Sequence, residues 1–464
     1  MKKMPNFSDY VSSFRKMLYA IMPAVNASAD KKNARHAGAS ILKMVHRNGV
    51  NGMMDAIAEQ QAIHAEKTSG YLTAEEIEAG KSGEFDVLDL RAWLSAISSP
   101  AVPAESIVSL TEDEASCLSV MTEDSVEKTF KGKNNLAHGI LMLASSALSG
   151  GWSKGQKVED YIQNTSDSSP VSQEEVRERL MNAMEGVPPT HMVRYHRTGG
   201  SILKAIAGSG MGGPVNPEVH LSATTGGGAG WKIQGNRRIV DLDDHRIIGA
   251  MAQAPHGVRH HFVARPWIAS SRYSPLMMDP NRANTPARGP GSWPYEWRVF
   301  ICDGVVTGIS GYYPWAMNSD DMSKSMDMVQ RVKAEAEKII AECKEKGLRP
   351  AYYPVDHMSK EGATPEIAEA LQAYEEMCPP GGFNCCIDFL ETEIGPVFLE
   401  AGPPVTPMGL PGGGAHPIGF VATIPTPMTS VSFPRPFGVI LSTPEEMSLD
   451  DLVGKEDAIL IHPL

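Results

Sequence analysis

The sequence predicts an α+β protein: a mainly helical region of about 150 residues, then short strands separated by glycine-rich turns, with long helices set among them. Three observations lead there. Apolar residues recur at helical spacing through much of residues 1–150. From residue 190 the pattern changes to short β-rich runs, two pairs of which read as hairpins. Between those hairpins, residues 323–346 place Val329, Val332, Ala336, Ile339, Ile340 and Cys343 on one apolar stripe, with lysines near the end and Gly347 after it.

Length and composition set the bounds. The chain has 464 residues, 42% hydrophobic and 21% charged, which suits a globular protein with two or three cores. A net charge of -13 argues against general attraction to nucleic acid or to an anionic membrane, while leaving room for a local basic cleft. The six cysteines, Cys117, Cys302, Cys343, Cys378, Cys385 and Cys386, show no C-x-x-C pairing, so free thiols in a reducing cytoplasm are expected. No run approaches the roughly 18 apolar residues of a membrane span, and the first residues lead into an amphipathic pattern instead of a secretory signal.

In the helical region, Tyr10, Phe14, Met17, Leu18 and Ile21 share one face, and Pro23 ends the pattern. A second helix is expected over residues 41–58, kinked near Gly49 and Gly52. Thr73 with Glu76, and Thr111 with Glu114, have the spacing of capping boxes, in which each side chain satisfies a free backbone N–H at a helix start. Further apolar periodicity covers residues 88–97 and 136–148. His36, His46, His64 and His138 are scattered, so residues 1–150 read as a packing or partner-binding module with surface for homo-oligomer contacts. Residues 151–189 read as a linker, marked by Gly151 and the polar stretch 164–170, and a helix capped by Ser172 with Glu175.

Residues 191–196 then read as a strand. Lys204 follows in an apolar run, and a glycine-rich loop with Gly208, Ser209, Gly210, Gly212 and Gly213 begins four residues later. Glycines let backbone N–H groups approach phosphate oxygens, and a lysine on the preceding strand can neutralise the same oxygens. No Gly-Lys-Ser/Thr follows, so this is not a Walker loop, and a flexible hairpin is the plain alternative. A helix is expected over residues 244–254 and a strand over 261–269. His256, His260 and His261 invite a metal site, but adjacent residues of a strand point to opposite faces. The loop over residues 270–294 carries Arg272, Arg282 and Arg288, either for an acidic ligand or as a solvated basic loop. Glu296 and Arg298 lie two apart at the start of a hairpin whose turn is Asp303-Gly304. A further helix spans residues 364–377.

Residues 383–404 form the second hairpin, closed at Gly395, with Asp388 inside its first apolar run and Glu400 at the end of the second. A carboxylate in a buried strand is costly unless cations or donors satisfy it. Two of them on neighbouring strands make a hard oxygen site of the kind that holds Mg²⁺ beside phosphates.

The order of these features resembles the ATP-grasp superfamily over roughly residues 190–410. The resemblance implies a two-subdomain fold preceded by the helical region, with a small subdomain over 190–268 and a large one over 269–464. It implies that ATP is held between them. Lys204 and Arg194 would lie on the phosphates and Gly208 to Gly213 over them. The backbone of Ala264, Arg265 and Trp267 would form the adenine hinge, with Glu296 also in the cofactor-binding set. Arg298 would sit near the transferred phosphoryl group, and Asp388 with Glu400 would hold Mg²⁺. The family commonly ends this motif Glu-x-Asn, whereas this chain has Gly402 in the amide position. The activity implied is a ligase that forms ADP and phosphate while joining a carboxylate substrate to an amine acceptor. The alternatives are a nucleotide-binding protein without turnover and a structural or assembly protein.

Overall fold

The computed structural model describes residues 37–119, 152–157, 160, 171–188, 191–197, 231–234, 237–240, 251, 254–266, 268, 270–272, 295–311, 322–353, 379–403, 439–442 and 459–462. Helix α1 (Ala37–Thr68) breaks at Gly49, whose φ of 69° and ψ of 174° are not helical, as the glycine predicts. Helix α2 (Ala74–Glu78) opens on the Thr73–Glu76 capping box. Strand β1 (Gly83–Asp86) leads into α3 (Leu90–Ala96), capped by Asp89. Strand β2 (Glu105–Leu110) leads into α4 (Glu112–Ser119), where Thr111 and Glu114 exchange the expected pair of hydrogen bonds. After α5 (Gln173–Glu185) come β3 (His191–Tyr195), β4 (Trp231–Gln234), β5 (Arg237–Val240) and β6 (His260–Pro266). Strands β7 (Glu296–Cys302) and β8 (Val305–Gly311) join through Asp303 and Gly304, at φ of 50° and 72°. Two successive positive φ angles are what a two-residue primed turn requires. Then follow α6 (Met322–Glu345), β9 (Leu348–Ala351), β10 (Cys385–Thr392), β11 (Gly395–Gly402), β12 (Val439–Ser442) and β13 (Ile459–His462).

Six of these strands form one sheet in the order β11-β10-β7-β8-β12-β13, antiparallel except where β12 runs parallel to β8. Strands β2-β6-β3 form a second, antiparallel sheet, β1 pairs with β9 in parallel, and β4 pairs with β5. The large sheet is amphipathic by alternation. Trp297, Val299 and Ile301 of β7, with Ile387 and Phe389 of β10, face the core, where Val329, Val332, Ala336 and Ile339 of α6 cover them. Their intervening neighbours, Arg298 and Asp388, point the other way.

The chain before residue 150 is not the separate helical module its periodicity suggests. Strand β1 pairs with β9, Gly83 opposite Leu348, and β2 pairs with β6, Leu110 opposite His260. Phe85, Val87 and Trp93 belong to the same core as α6 and the large sheet. Trp93 packs edge-on to Phe85 at 5.0 Å and against Phe398 at 5.8 Å, and its indole N–H donates to the Val87 carbonyl at 2.8 Å. A four-residue strand whose partner lies beyond residue 340 leaves no local mark in the sequence.

The cysteines also depart in part from expectation. Cys117, Cys343, Cys385 and Cys386 are free and buried, but Cys302 is disulfide-bonded. Burial pushes the Cys343 and Cys386 thiols up to about 12, so neither is a reactive thiolate. Among the described residues no helix is long and apolar enough to cross a membrane.

Trp93→Ala should cost about 3–5 kcal/mol, the usual range for deleting a buried aromatic. Because the indole ties residues 85–97 to β11, urea unfolding should stay a single transition shifted to lower denaturant. Two separated transitions would show that the N-terminal residues fold on a core of their own.

Candidate functional site

The site starts from strand register. Asp388 of β10 lies opposite Glu400 of β11 on one side and opposite Arg298 of β7 on the other. Directly opposed residues share a face of the sheet, so three ionisable groups stand in a row on the face turned away from α6. Arg298 donates from Nε to Oδ1 and from Nη2 to Oδ2 of Asp388, both at 2.8 Å. This is the planar two-pronged pairing that a guanidinium makes and an ammonium cannot. Asp388 is 2% exposed and Glu400 4%.

The second sheet completes the row. Arg194 of β3 donates from Nη1 to Glu400 Oε2 at 2.9 Å. Arg265 of β6, with no exposed surface, donates from Nη2 to the carbonyls of Leu399 at 2.8 Å and Val102 at 2.9 Å, and from Nε to that of Pro103 at 3.4 Å. Burial lowers the Arg265 pKa to about 9, with the charge of Arg194 adding to the effect and Glu400 opposing it. Buried charges are tolerable only in such company, because leaving one unpaired costs several kcal/mol.

The other expected site residues fall as follows. Lys204, Gly208, Ser209, Gly210, Gly212, Gly213 and Trp267 lie outside the described residues, as do Arg282 and Arg288. Ala264 is paired with Glu105 on one side and Val193 on the other, so its backbone is committed to two ladders. A hinge with a free backbone edge would therefore have to begin after Ala264 and Arg265, whose side chain acts instead as a staple. Glu296 begins β7, buried, on the same face as Arg298. Arg272, expected to meet a ligand, is spent on Glu391: Nε and Nη2 donate to its two oxygens at 2.5 and 2.8 Å, and the guanidinium lies 4.2 Å over the Tyr295 ring.

A second polar cluster gave almost no signal in the sequence. At the end of β1, Asp86 accepts from Arg197 Nε at 2.5 Å. Asp89, at the start of α3, meets His196 Nδ1 at 3.0 Å. On β6, His261 contacts Arg91 Nη1 and Ser106 Oγ, each at 2.8 Å, while His260 Nδ1 meets the Tyr195 hydroxyl at 2.7 Å. Burial lowers the pKa of His260 to about 3 and of His261 to about 4, helped by the positive charges nearby. His256 pairs instead with Glu112, so the three histidines go to three different partners. Asp89 could have been found as a helix cap before Leu90; its histidine partner could not, being more than 100 residues away.

Among the described residues no group of three or more His, Cys, Asp or Glu side chains is placed to hold a metal ion. Asp388 and Glu400 offer two hard oxygen donors, and each has an arginine against it. No protein-family model matches this sequence, and no curated protein matches it.

Breaking the row from one side should be worse than removing a pair. Asp388→Ala strands the Arg298 charge and should cost about 3–5 kcal/mol, whereas the double change Asp388→Leu with Arg298→Met should recover most of that loss. Chemical denaturation of the two singles and the double measures the coupling, and additive losses would refute it. His260 sets a separate pH dependence. Its folded pKa of about 3 lies below the ordinary 6.5, so the unfolded chain binds a proton that the folded one refuses. Stability should fall as pH drops through that window, by about 1.4 kcal/mol per pH unit for this residue. His260→Gln should flatten the slope by one proton, as followed by denaturant titration across the window.

Proposed function

We propose that the chain is an ATP-dependent ligase of ATP-grasp type, activating a carboxylate as an acyl phosphate for attack by an amine, with release of ADP and phosphate. The observation that carries the reading is the Arg298–Asp388–Glu400–Arg194 row, built where strands of two sheets meet. Asp388 and Glu400 are the ligand chemistry Mg²⁺ takes, and Arg194 and Arg298 the chemistry that phosphate oxygens take. Bound there, Mg²⁺ would supply neutralisation of the charge on the transferring phosphoryl group.

The protein's own residues supply position and dielectric. Arg298 holds the plane of the Asp388 carboxylate by two parallel hydrogen bonds. Arg265 fixes β11 beside Glu400 by binding the Leu399 carbonyl and tying it to residues 102 and 103. Burial strengthens each of these interactions relative to water, which is how such sites stabilise charge that develops during a reaction.

One feature favours a second reading, nucleotide binding without efficient turnover. The position after Glu400 and Ala401 is Gly402, which brings no amide oxygen to the metal pair. A Cβ built there meets nothing within 4 Å, so a side chain fits the position.

Two measurements separate the readings. MgATP at about 100 times its dissociation constant should stabilise the protein by about 2.7 kcal/mol, and Asp388→Asn should remove most of that gain. No thermal shift would sink both nucleotide readings and leave the row as a structural device. ADP release is then followed with panels of carboxylic acids and amines. Gly402→Asn should raise turnover if the missing amide limits it, and binding with no ADP from either protein would select the second reading.

A further inference from the structure

The Asp89–His196 pair lies outside the charged row, and the reaction proposed above has not used it. Burial pushes the Asp89 carboxyl up, but the charge and hydrogen bond of His196 and the N–H groups of Ala92 and Arg91 outweigh that and hold it at about 2. An ionised carboxylate only accepts, so the 3.0 Å contact with His196 Nδ1 places a proton on that nitrogen. The other ring nitrogen, Nε2, is buried and has no hydrogen-bond partner. The residue is 1% exposed and cannot drift: its N–H donates to the His261 carbonyl at 2.9 Å, and its carbonyl accepts from Leu90 N–H at 3.1 Å. A buried imidazole nitrogen with nothing to bind is a desolvation cost that a purely structural histidine avoids.

Its place in the fold says what it would serve. His196 follows Arg194 by two residues on one extended segment, the spacing that puts both side chains on the same face, and Arg194 reaches Glu400 from that face. The surrounding charged groups are already engaged. Asp86 is paired with Arg197, His260 with Tyr195, and His261 with Arg91 and Ser106. Among the described residues Asp89 is the carboxylate that meets the ring, and Nε2 faces none of these partners.

We propose that His196 is the proton acceptor for the amine in the ligase reaction, with Asp89 as the positioning residue that fixes the tautomer and stabilises the imidazolium. The proposal rests on the ligase reading. The amine nitrogen attacks the acyl carbon, the new C–N bond forms, and the C–O bond to phosphate breaks with its electron pair leaving on phosphate. The proton lost by the nitrogen goes to Nε2, and the resulting imidazolium faces the Asp89 carboxylate until it releases the proton to water. Binding is then selective for a primary amine that can enter uncharged, because a permanently cationic nucleophile has no proton to give and no lone pair to attack with.

The test uses the full chain with MgATP and a mixture of short mono- and dicarboxylic acids and amino acids, with either glycinamide or hydroxylamine as nucleophile, and reads ADP release. Hydroxylamine is largely unprotonated near neutral pH and needs little help from a base. His196→Gln should lower the glycinamide-dependent rate about 100-fold and remove the acidic limb of its pH profile, while the hydroxylamine rate falls less than about 10-fold. Asp89→Asn should give a smaller loss with the limb displaced. If His196→Gln keeps the wild-type rate and pH profile with glycinamide, the base assignment fails and the ligase reading stands. If the wild type releases no ADP with any mixture, both fail. Should the variants not fold, long-range proton–nitrogen NMR of the wild type decides: a protonated Nδ1 with a bare Nε2 near neutral pH is the expected state, and protons on both nitrogens would overturn the proposal.

Discussion

The two-pronged bond between Arg298 and Asp388 constrains the register of the whole large sheet. Both groups are buried, at the centre of two strands whose other face is packed by α6. Sliding β10 by one residue would turn Asp388 into that apolar core and bring Ile387 or Phe389 out of it. Sliding by two would keep the faces but part the carboxylate from Arg298 and Glu400 together. Either slip leaves ions without partners in a low dielectric, which costs more than any single packing defect. The apolar alternation selects the face, and the ion row selects the register.

The same logic explains how the edge of the sheet is closed. Strand β11 is terminal in its sheet, yet residues 100–102 run alongside it: Phe398 N–H donates to the Pro100 carbonyl at 2.8 Å and Val102 N–H to the Phe398 carbonyl at 2.9 Å. Arg265 then collects the carbonyls of Val102, Pro103 and Leu399 in one guanidinium. A lysine has the charge but not the fixed fork that serves carbonyls on separate segments. An edge that would invite pairing with another chain is thereby covered from within. The cover also carries the chain from α3 across to the sheet that holds Arg194.

How much of this could be seen in the sequence follows from range. Features decided within a few residues were legible: the kink at Gly49, the caps at Thr73, Thr111 and Ser172, the Asp303-Gly304 turn, and the α6 stripe. The hairpins placing Arg298 beside Glu296 and Asp388 opposite Glu400 were legible for the same reason, since both partners sit near one turn. Arg194 was visible as a strand residue near a phosphate motif, but its bond to Glu400 spans more than 200 residues and no local pattern encodes it. Strand β1 and the Asp86–Arg197 and Asp89–His196 pairs were hidden by the same distance. Arg265 was read for its backbone, when pairing on both sides of β6 leaves only its side chain with work to do.

Stability alone gives little reason for so many charges in one layer. Where buried ion networks have been exchanged for well-packed hydrophobic side chains, the exchange has often been neutral or stabilising. The strands here could make it easily, because their other face already shows how Trp297, Val299 and Ile387 fill such positions. Register specificity accounts for one pair, Arg298 with Asp388. It does not account for Glu400 and Arg194 joining the row from a different sheet, nor for a second acid–histidine pair two residues farther along β3. A layer that holds carboxylates, guanidiniums and a fixed imidazole at one sheet–sheet boundary is built as chemistry requires: charges already oriented, already desolvated, and able to change partners at little cost in reorganisation.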